Sequence, residues 1–339
     1  MNSKTILKKV WVVVLSGICL TGFYISGAEG AKVIRVATQT PPESLIDQGM
    51  EKWKSLMEER SGGKLNVKVL GRAIMGSERE VLEGCRMGTL DAGIISAGML
   101  GNIIPQFFIV AMPYLFNNHD EANAFLDGPV GQKLFKMLEG KDLVSSGYAT
   151  YAFRGVWNNK GPITKPDDLK GLKIRTLENP LDLSIMTHMG GIAVPLAWSE
   201  TVIGLRQGLI DGISVTYGLG YQYKLYEHTK YVTQTKHFYE PAILVINKKL
   251  FNTFSPEEQK IIKETAAEAQ LWGRREQMQF DEKAQSLLEG KGMKVNSLSP
   301  EAFSAFRERT KIVYEQFRLR IGSEFMDEAL AFVNSLRKK

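Results

Sequence analysis

The sequence predicts an α/β protein of two lobes with mostly parallel sheets, and three observations lead there. Apolar strands and amphipathic helices alternate from Val33 onward, which implies right-handed crossovers and parallel pairing. A weak internal echo relates Ser77-Glu78, a helix and Gly88-Thr89-Leu90-Asp91-Ala92-Gly93-Ile94 to Ser199-Glu200, a helix and Gly208-Leu209-Ile210-Asp211-Gly212-Ile213. Each copy reads as helix, glycine stop, aspartate and buried strand. A capped helical run near the C-terminus is longer than one lobe, so it is placed to brace both.

The elements follow in order. Residues 1–31 read as a secretory signal peptide: Lys4, Lys8 and Lys9 precede the apolar Val10–Ile25 run, and small residues follow at 26–31. That run is short for a membrane span. Val33–Thr38 reads as a strand, Glu43–Arg60 as a helix ended by Ser61-Gly62-Gly63, and alternating Leu65, Val67 and Val69 as a second strand. Ser77 and Glu80 form a capping-box signature ahead of a helix closed by Gly88. Asp91–Ser96 is a third strand. Further on, Gly171–Thr176 is a strand, Pro180–His188 a helix and Ile192–Pro195 a short strand. Ala242–Ile246 is a buried strand returning to the first sheet. Ser255-Pro256 starts the long helix, which can run to Leu288, about 33 residues or ~50 Å at 1.5 Å per residue. A helix confined to one lobe would need a kink near Gly273. Ser299-Pro300 starts another by the same logic.

These elements divide into a lobe of residues 32–151, with 241–280 returning to it, and a second of 152–240, with 281–339 packing across. A chain of 339 residues accommodates two such cores. Loss of the leader removes three lysines and one glutamate from a net charge of +6, leaving about +4. Both signs are interspersed and no basic stripe appears, which argues against nucleic acid as a partner. Cys85 alone remains, so no intrachain disulfide is expected. It falls in a helical run as a small buried residue.

Two arginines carry the chemistry. In Leu172–Thr176 apolar and charged residues alternate, so Leu172 and Ile174 face a core while Lys173 and Arg175 point the other way. Arg154 stands 21 residues earlier. An arginine fork fixed at a strand end matches a carboxylate bidentately. Catalytic signatures are missing: the four histidines lie in no metal spacing, and no nucleophile elbow, P-loop or dinucleotide fingerprint occurs. His237 reads as a structural histidine, and Lys165-Pro166-Asp167-Asp168-Leu169 as a capped turn. Aromatic residues, Trp198 and Tyr217 among them, fall at element ends. Trp198, just after the Ile192–Pro195 strand, is placed for a pocket.

The ordered segments Asp168-Leu-Lys-Gly-Leu-Lys-Ile-Arg175, Gly190-Gly-Ile-Ala-Val-Pro-Leu-Ala-Trp-Ser-Glu200 and Gln207-Gly-Leu-Ile-Asp-Gly212 resemble the solute receptors of tripartite ATP-independent periplasmic (TRAP) transporters, the C4-dicarboxylate receptor or DctP type. Met75-Gly-Ser-Glu-Arg-Glu80, Met112-Pro-Tyr-Leu-Phe116 and Lys224-Leu-Tyr-Glu227 agree, so the resemblance covers nearly all of the chain after the leader. It implies a two-lobe periplasmic-binding-protein (Venus-flytrap) fold, with a hinge and a long helix spanning both lobes. It also implies a monomer in the periplasm that captures an organic acid in the cleft and hands it to the small and large membrane permease subunits.

By the same resemblance Arg175 is the carboxylate-binding arginine and Arg154 the second arginine. Trp198 is the pocket residue before Ser-Glu, Gln39 ends the first strand and Ser96 the third. One departure matters: many relatives carry Gln-Glu-Asn-Pro after Asp-Gly, with the Asn on the ligand carboxylate, where this chain has Val215. The second polar anchor is then lost or moved to Ser214, Thr216 or Tyr217. Relatives that hold a cation carry an acidic residue and a Trp here; this chain has neither, so no metal and no cofactor is expected. The nearby aromatics suggest a less polar carboxylate, aromatic or branched. Two other readings share the cleft: a receptor reporting to a sensor kinase or chemoreceptor, and an exported enzyme, which would need an activated nucleophile or base.

Overall fold

The structure is a computed structural model that describes residues 30–338. The expected leader lies outside the described residues, none of whose helices is long and apolar enough to cross a membrane. Among the described residues eleven strands form one sheet system: β1 (Lys32–Ala37), β2 (Leu65–Leu70), β3 (Ala92–Ser96), β4 (Leu143–Val144), β5 (Tyr148–Asn158), β6 (Lys173–Thr176), β7 (Ile192–Pro195), β8 (Gly212–Thr216), β9 (Tyr231–Gln234), β10 (Tyr239–Asn247) and β11 (Lys294–Ser297). The main path is β2-β1-β3-β10-β5-β8-β6-β7. Both wings are parallel: β1 pairs with β2 and β3, and β6 with β7 and β8. The helix connections between those strands dictate this.

The wings meet at β5 and β10, and antiparallel pairing concentrates there. The first part of β5 pairs with β10, and its second part, Arg154–Asn158, with β8 and β9. At the crossover the ladder is irregular: register shifts between Glu240 and Pro241, and Ala152 opposite adopts φ of 77°. An alanine in the left-handed region is uncommon and is held there by its surroundings. β10 returns beside β3, as the apolar Ala242–Ile246 run predicts.

Local signals explain the helices. Ser77 and Glu80 form the expected capping box on Glu78–Met87, and Ser255 and Glu258 form another on Pro256–Glu289. The second helix runs 34 residues without a break at Gly273. Ile262, Ala266 and Ala269 on it join the core of the first wing, where Trp53 Nε1 donates to Thr265 Oγ1 at 3.1 Å. Ala284 and Leu288 at its far end join the core of the second wing, with Trp157, Ile213 and Val232. One helix therefore braces both. The opposite face is covered by helices that include His119–Asp127, Pro129–Glu139 and Pro300–Ile321 around Phe107, Phe108, Phe125 and Phe306. Cys85 is buried in that layer, and burial pushes its thiol up to about 12, so it acts as an apolar side chain.

Candidate functional site

The parallel strands of both wings aim their carboxyl ends at the same place, where ligands of open α/β sheets bind. A small cavity of about 40 Å³ lies there. The first wing contributes Gln39 and Thr40 after β1, Ser96 at the end of β3, and Glu78 at the start of its helix. The second contributes Arg175 and Leu177 from the end of β6, Trp198, Val215 of β8, and Leu219 and Tyr223. The crossing strands add Tyr151, Arg154 and Glu240. A wider cleft continues outward past Gln39, Trp198 and Tyr223, lined by Glu43, Arg72 and Lys224.

Arg175 is buried at 1% exposure. Its Nε donates to the Leu196 carbonyl at 2.9 Å, and its guanidinium lies 5.2 Å from the Trp198 ring centroid. Among the described residues no acceptor takes its two Nη atoms, so that edge is available to a ligand. Burial, then the like charge of Arg154, lower its pKa to about 10. It stays fully charged at neutral pH.

Arg154 is engaged differently. Its Nε donates to Glu240 Oε2 at 2.6 Å, Nη2 contacts the same oxygen, and Nη1 donates to the Ser214 carbonyl. Burial raises the pKa of Glu240 while Arg154 opposes that rise. Glu78 Oε1 accepts from the Ser96 amide, and burial likewise raises its pKa. The Ser96 hydroxyl is near enough to favour the ionised carboxylate, yet it is buried without a hydrogen bond to any described residue. Asp182, also buried, completes the charged cluster through the fields of both arginines.

The model of the bacterial extracellular solute-binding protein family 7, DctP, matches residues 36–320. The chain belongs to the DctP family of TRAP solute receptors. It is 30% identical over 275 residues to the 2,3-diketo-L-gulonate-binding periplasmic protein YiaO of Escherichia coli K12, covering 81% of this chain and 84% of that protein. Among solved structures it resembles the sugar-acid-binding protein DctPAm of Advenella mimigardefordensis in complex with galactonate, at 28% identity and a TM-score of 0.87, covering 90% of this chain and 98% of that one. A TRAP periplasmic solute-binding protein of Ochrobactrum anthropi, with its C-terminus bound in the ligand-binding pocket, is 33% identical with a TM-score of 0.82, over 91% of this chain and 96% of that one. DctP is a family of solute-binding receptors, not of enzymes.

In this DctP chain the structure brings Arg175, Arg154, Trp198, Gln39 and Ser96 to one cavity. It does not bring Ser214, Thr216 or Tyr217 there. Strand parity decides this: Val215 lines the cavity, so its neighbours on β8 point away. Ser214 Oγ bonds His237 Nε2 at 2.9 Å, and Thr216 Oγ1 caps the following helix by accepting from the Leu219 amide. Tyr217 lines a separate hollow with His119 and Asp281 behind the crossing strands. None of the three takes the place of Val215 in the cavity lining. His237, bonded also to Thr235 Oγ1 at 2.7 Å, is the structural histidine its position suggests.

The sequence reading missed Glu78, Glu240, Tyr151 and Tyr223. Glu78 had a local signal, since the first residue of a capped helix beside a strand end faces whatever the strand end faces. Glu240 had none, because its partner Arg154 is 86 residues away.

Proposed function

We propose that the chain is the periplasmic receptor of a TRAP transporter, that it captures an organic-acid carboxylate in the cavity between its wings, and that it delivers the acid to the small and large permease subunits in the membrane. The observation that carries this is Arg175, which is buried beside the Trp198 ring and lines the cavity, with no acceptor on its Nη atoms among the described residues. A carboxylate there forms a bidentate, charge-assisted pair in a medium of low dielectric. It also relieves the repulsion between Arg175 and Arg154. Gln39, Ser96, Trp198 and Arg154 complete the contact set. YiaO and DctPAm, which carry sugar acids or diketo acids in their names, support an acid as ligand.

Capture proceeds by closure. The lobes of 32–151 with 241–280, and of 152–240 with 281–339, rock about the irregular crossing of β5 and β10 while the long helix bends little. The open form admits the anion and the closed form excludes water, so that ligand and permease each select between the two. The receptor works as a monomer.

Calorimetric titration of the ligand-stripped protein with organic acids tests this. Arg175→Ala is expected to cost about 2–4 kcal/mol of binding free energy, the range for truncating one side of a desolvated charge pair. Unchanged affinity in that variant would end the assignment.

A further inference from the structure

In the layer of covering helices lies a second hollow, of about 250 Å³, that shares no residue with the cavity of Arg175. Sequence spacing builds it. Arg307, Lys311 and Tyr314 follow one another at i, i+4 and i+7 on Pro300–Ile321, so they share a face of that helix. Leu330, Val333 and Asn334 share a face of Ser323–Leu336, and Arg337 caps its C-terminal end. The segment Pro113–Leu115 makes the third wall and is held from three sides. The Tyr314 hydroxyl donates to the Pro113 carbonyl at 2.9 Å, the Tyr114 amide to the His237 carbonyl at 2.9 Å, and Arg337 Nη2 to the Leu115 carbonyl at 2.6 Å.

Contacts between packed helices are ordinarily apolar, yet three cations line this hollow and no carboxylate does. Glu308 pairs with Lys311 and Glu121 takes Arg337 Nε, both from outside the lining. Arg307 makes no hydrogen bond or ion pair with any described residue. Burial raises the pKa of the Tyr314 hydroxyl, and the fields of Arg307 and Arg337 both pull it back, so the two guanidinium charges converge on one point. Donors therefore approach from two helices. A planar carboxylate is matched by a single fork, whereas a tetrahedral phosphate turns oxygens to both sides. Leu115, Leu330 and Val333 add C–H surface that the carbon part of an ester can cover and a free phosphate ion cannot.

We propose that this hollow binds the phosphate group of an organic phosphate ester, with Arg307 as its free cation, Lys311 and Arg337 flanking it, and the apolar wall against the carbon chain. A soluble ester and an anionic phospholipid headgroup present the same chemistry, and the experiment separates them.

Glycerol 3-phosphate and inorganic phosphate are titrated calorimetrically, at constant ionic strength, into the protein purified after export. Flotation with vesicles of phosphatidylglycerol in phosphatidylcholine, against phosphatidylcholine alone, is the membrane arm. The ester is expected to bind roughly fivefold tighter than inorganic phosphate. Arg307→Gln is expected to weaken it roughly fivefold and Lys311→Gln roughly threefold, while Arg175→Ala leaves it unchanged. Both lysine and arginine side chains stand at the surface, so neither substitution removes a core contact. Capture by the phosphatidylglycerol vesicles that glycerol 3-phosphate competes away assigns the headgroup; binding of the soluble ester without capture assigns a free ester; each upholds the site. Binding or capture unmoved in both Arg307→Gln and Lys311→Gln, or lost in Arg175→Ala, overturns the site. Inorganic phosphate binding as tightly as the ester overturns the role of the apolar wall. No binding of either phosphate and no vesicle capture overturns the proposal outright.

Discussion

Arg154 and Glu240 are paired between the two strands that join the wings, with Arg154 Nε donating to Glu240 Oε2 at 2.6 Å and the side chains 3% and 2% exposed. The pair sits where the register of β10 shifts, so it ties the cavity wall to the crossing itself. Breaking one side of a buried pair leaves an uncompensated charge, at a cost of about 3–5 kcal/mol. Glu240→Ala is therefore expected to lower unfolding free energy by that amount in ligand-free protein, measured by urea titration. Replacing both residues by methionine is expected to recover most of the stability but not ligand affinity. A Glu240→Ala protein as stable as the parent would show that water or another group already balances Arg154.

His237 sets an acid limit to stability. Burial, with Arg154 adding to it, pushes its pKa down to about 3. In the unfolded chain the imidazole takes its proton near pH 6.5. Between these values the unfolded state binds the extra proton, so stability falls as pH falls, by about 1.4 kcal/mol per pH unit for this group. The raised pKa values of Glu78, Asp182 and Glu240 act in the opposite sense, contributing stability at low pH that is lost as pH rises through their folded values. The difference between parent and His237→Asn isolates the histidine. Their urea midpoints are expected to run parallel above pH 7 and to diverge below 6.5, with the parent steeper. Parallel curves down to pH 4 would mean the imidazole titrates alike in both states.

Much of the fold is written in short-range signals. Ser77 with Glu80, Ser255-Pro256 and Ser299-Pro300 each state a helix start in three or four residues, and the structure caps all three. The alternation around Arg175 places it on the side away from Ile174, and the structure agrees. Alternation alone does not say which face of β8 meets the cavity, because that strand is buried on both faces. That is why Ser214 and Thr216 were candidates and Val215 holds the position. The dual pairing of β5 and the Arg154–Glu240 contact depend on residues far apart in the chain, and periodicity carries no information about them.

The Tyr223 hydroxyl donates to the Gln39 carbonyl, joining the second wing to the first at the mouth of the cavity. The Tyr223 ring stands edge-on to Trp198 at 4.7 Å, so one residue closes the entrance and supports the ring beside Arg175. A single hydrogen bond is worth about 1 kcal/mol. Tyr223→Phe keeps the ring and removes the bridge. Its ligand dissociation rate, followed by stopped-flow fluorescence, is expected to rise roughly fivefold with little change in association. A change confined to association would place the bridge in the open form instead.

Val215 tests how this chain departs from many relatives. It lies opposite Gly155 on β5 and lines the cavity, at the position where the family resemblance implies an Asn on the ligand carboxylate. Val215→Asn would set an amide in the cavity with Arg175, and without a ligand carboxylate its NH2 group would lack an acceptor, at a cost of about 1–3 kcal/mol. A bound carboxylate would satisfy that amide with a charge-assisted bond of similar size. The variant is therefore expected to melt lower than the parent without ligand, yet to show a larger ligand-induced rise and about tenfold tighter binding. If affinity falls together with stability, the apolar face formed with Leu177 and Leu219 is itself part of the recognition, and the ligand fits this cavity through its C–H surface.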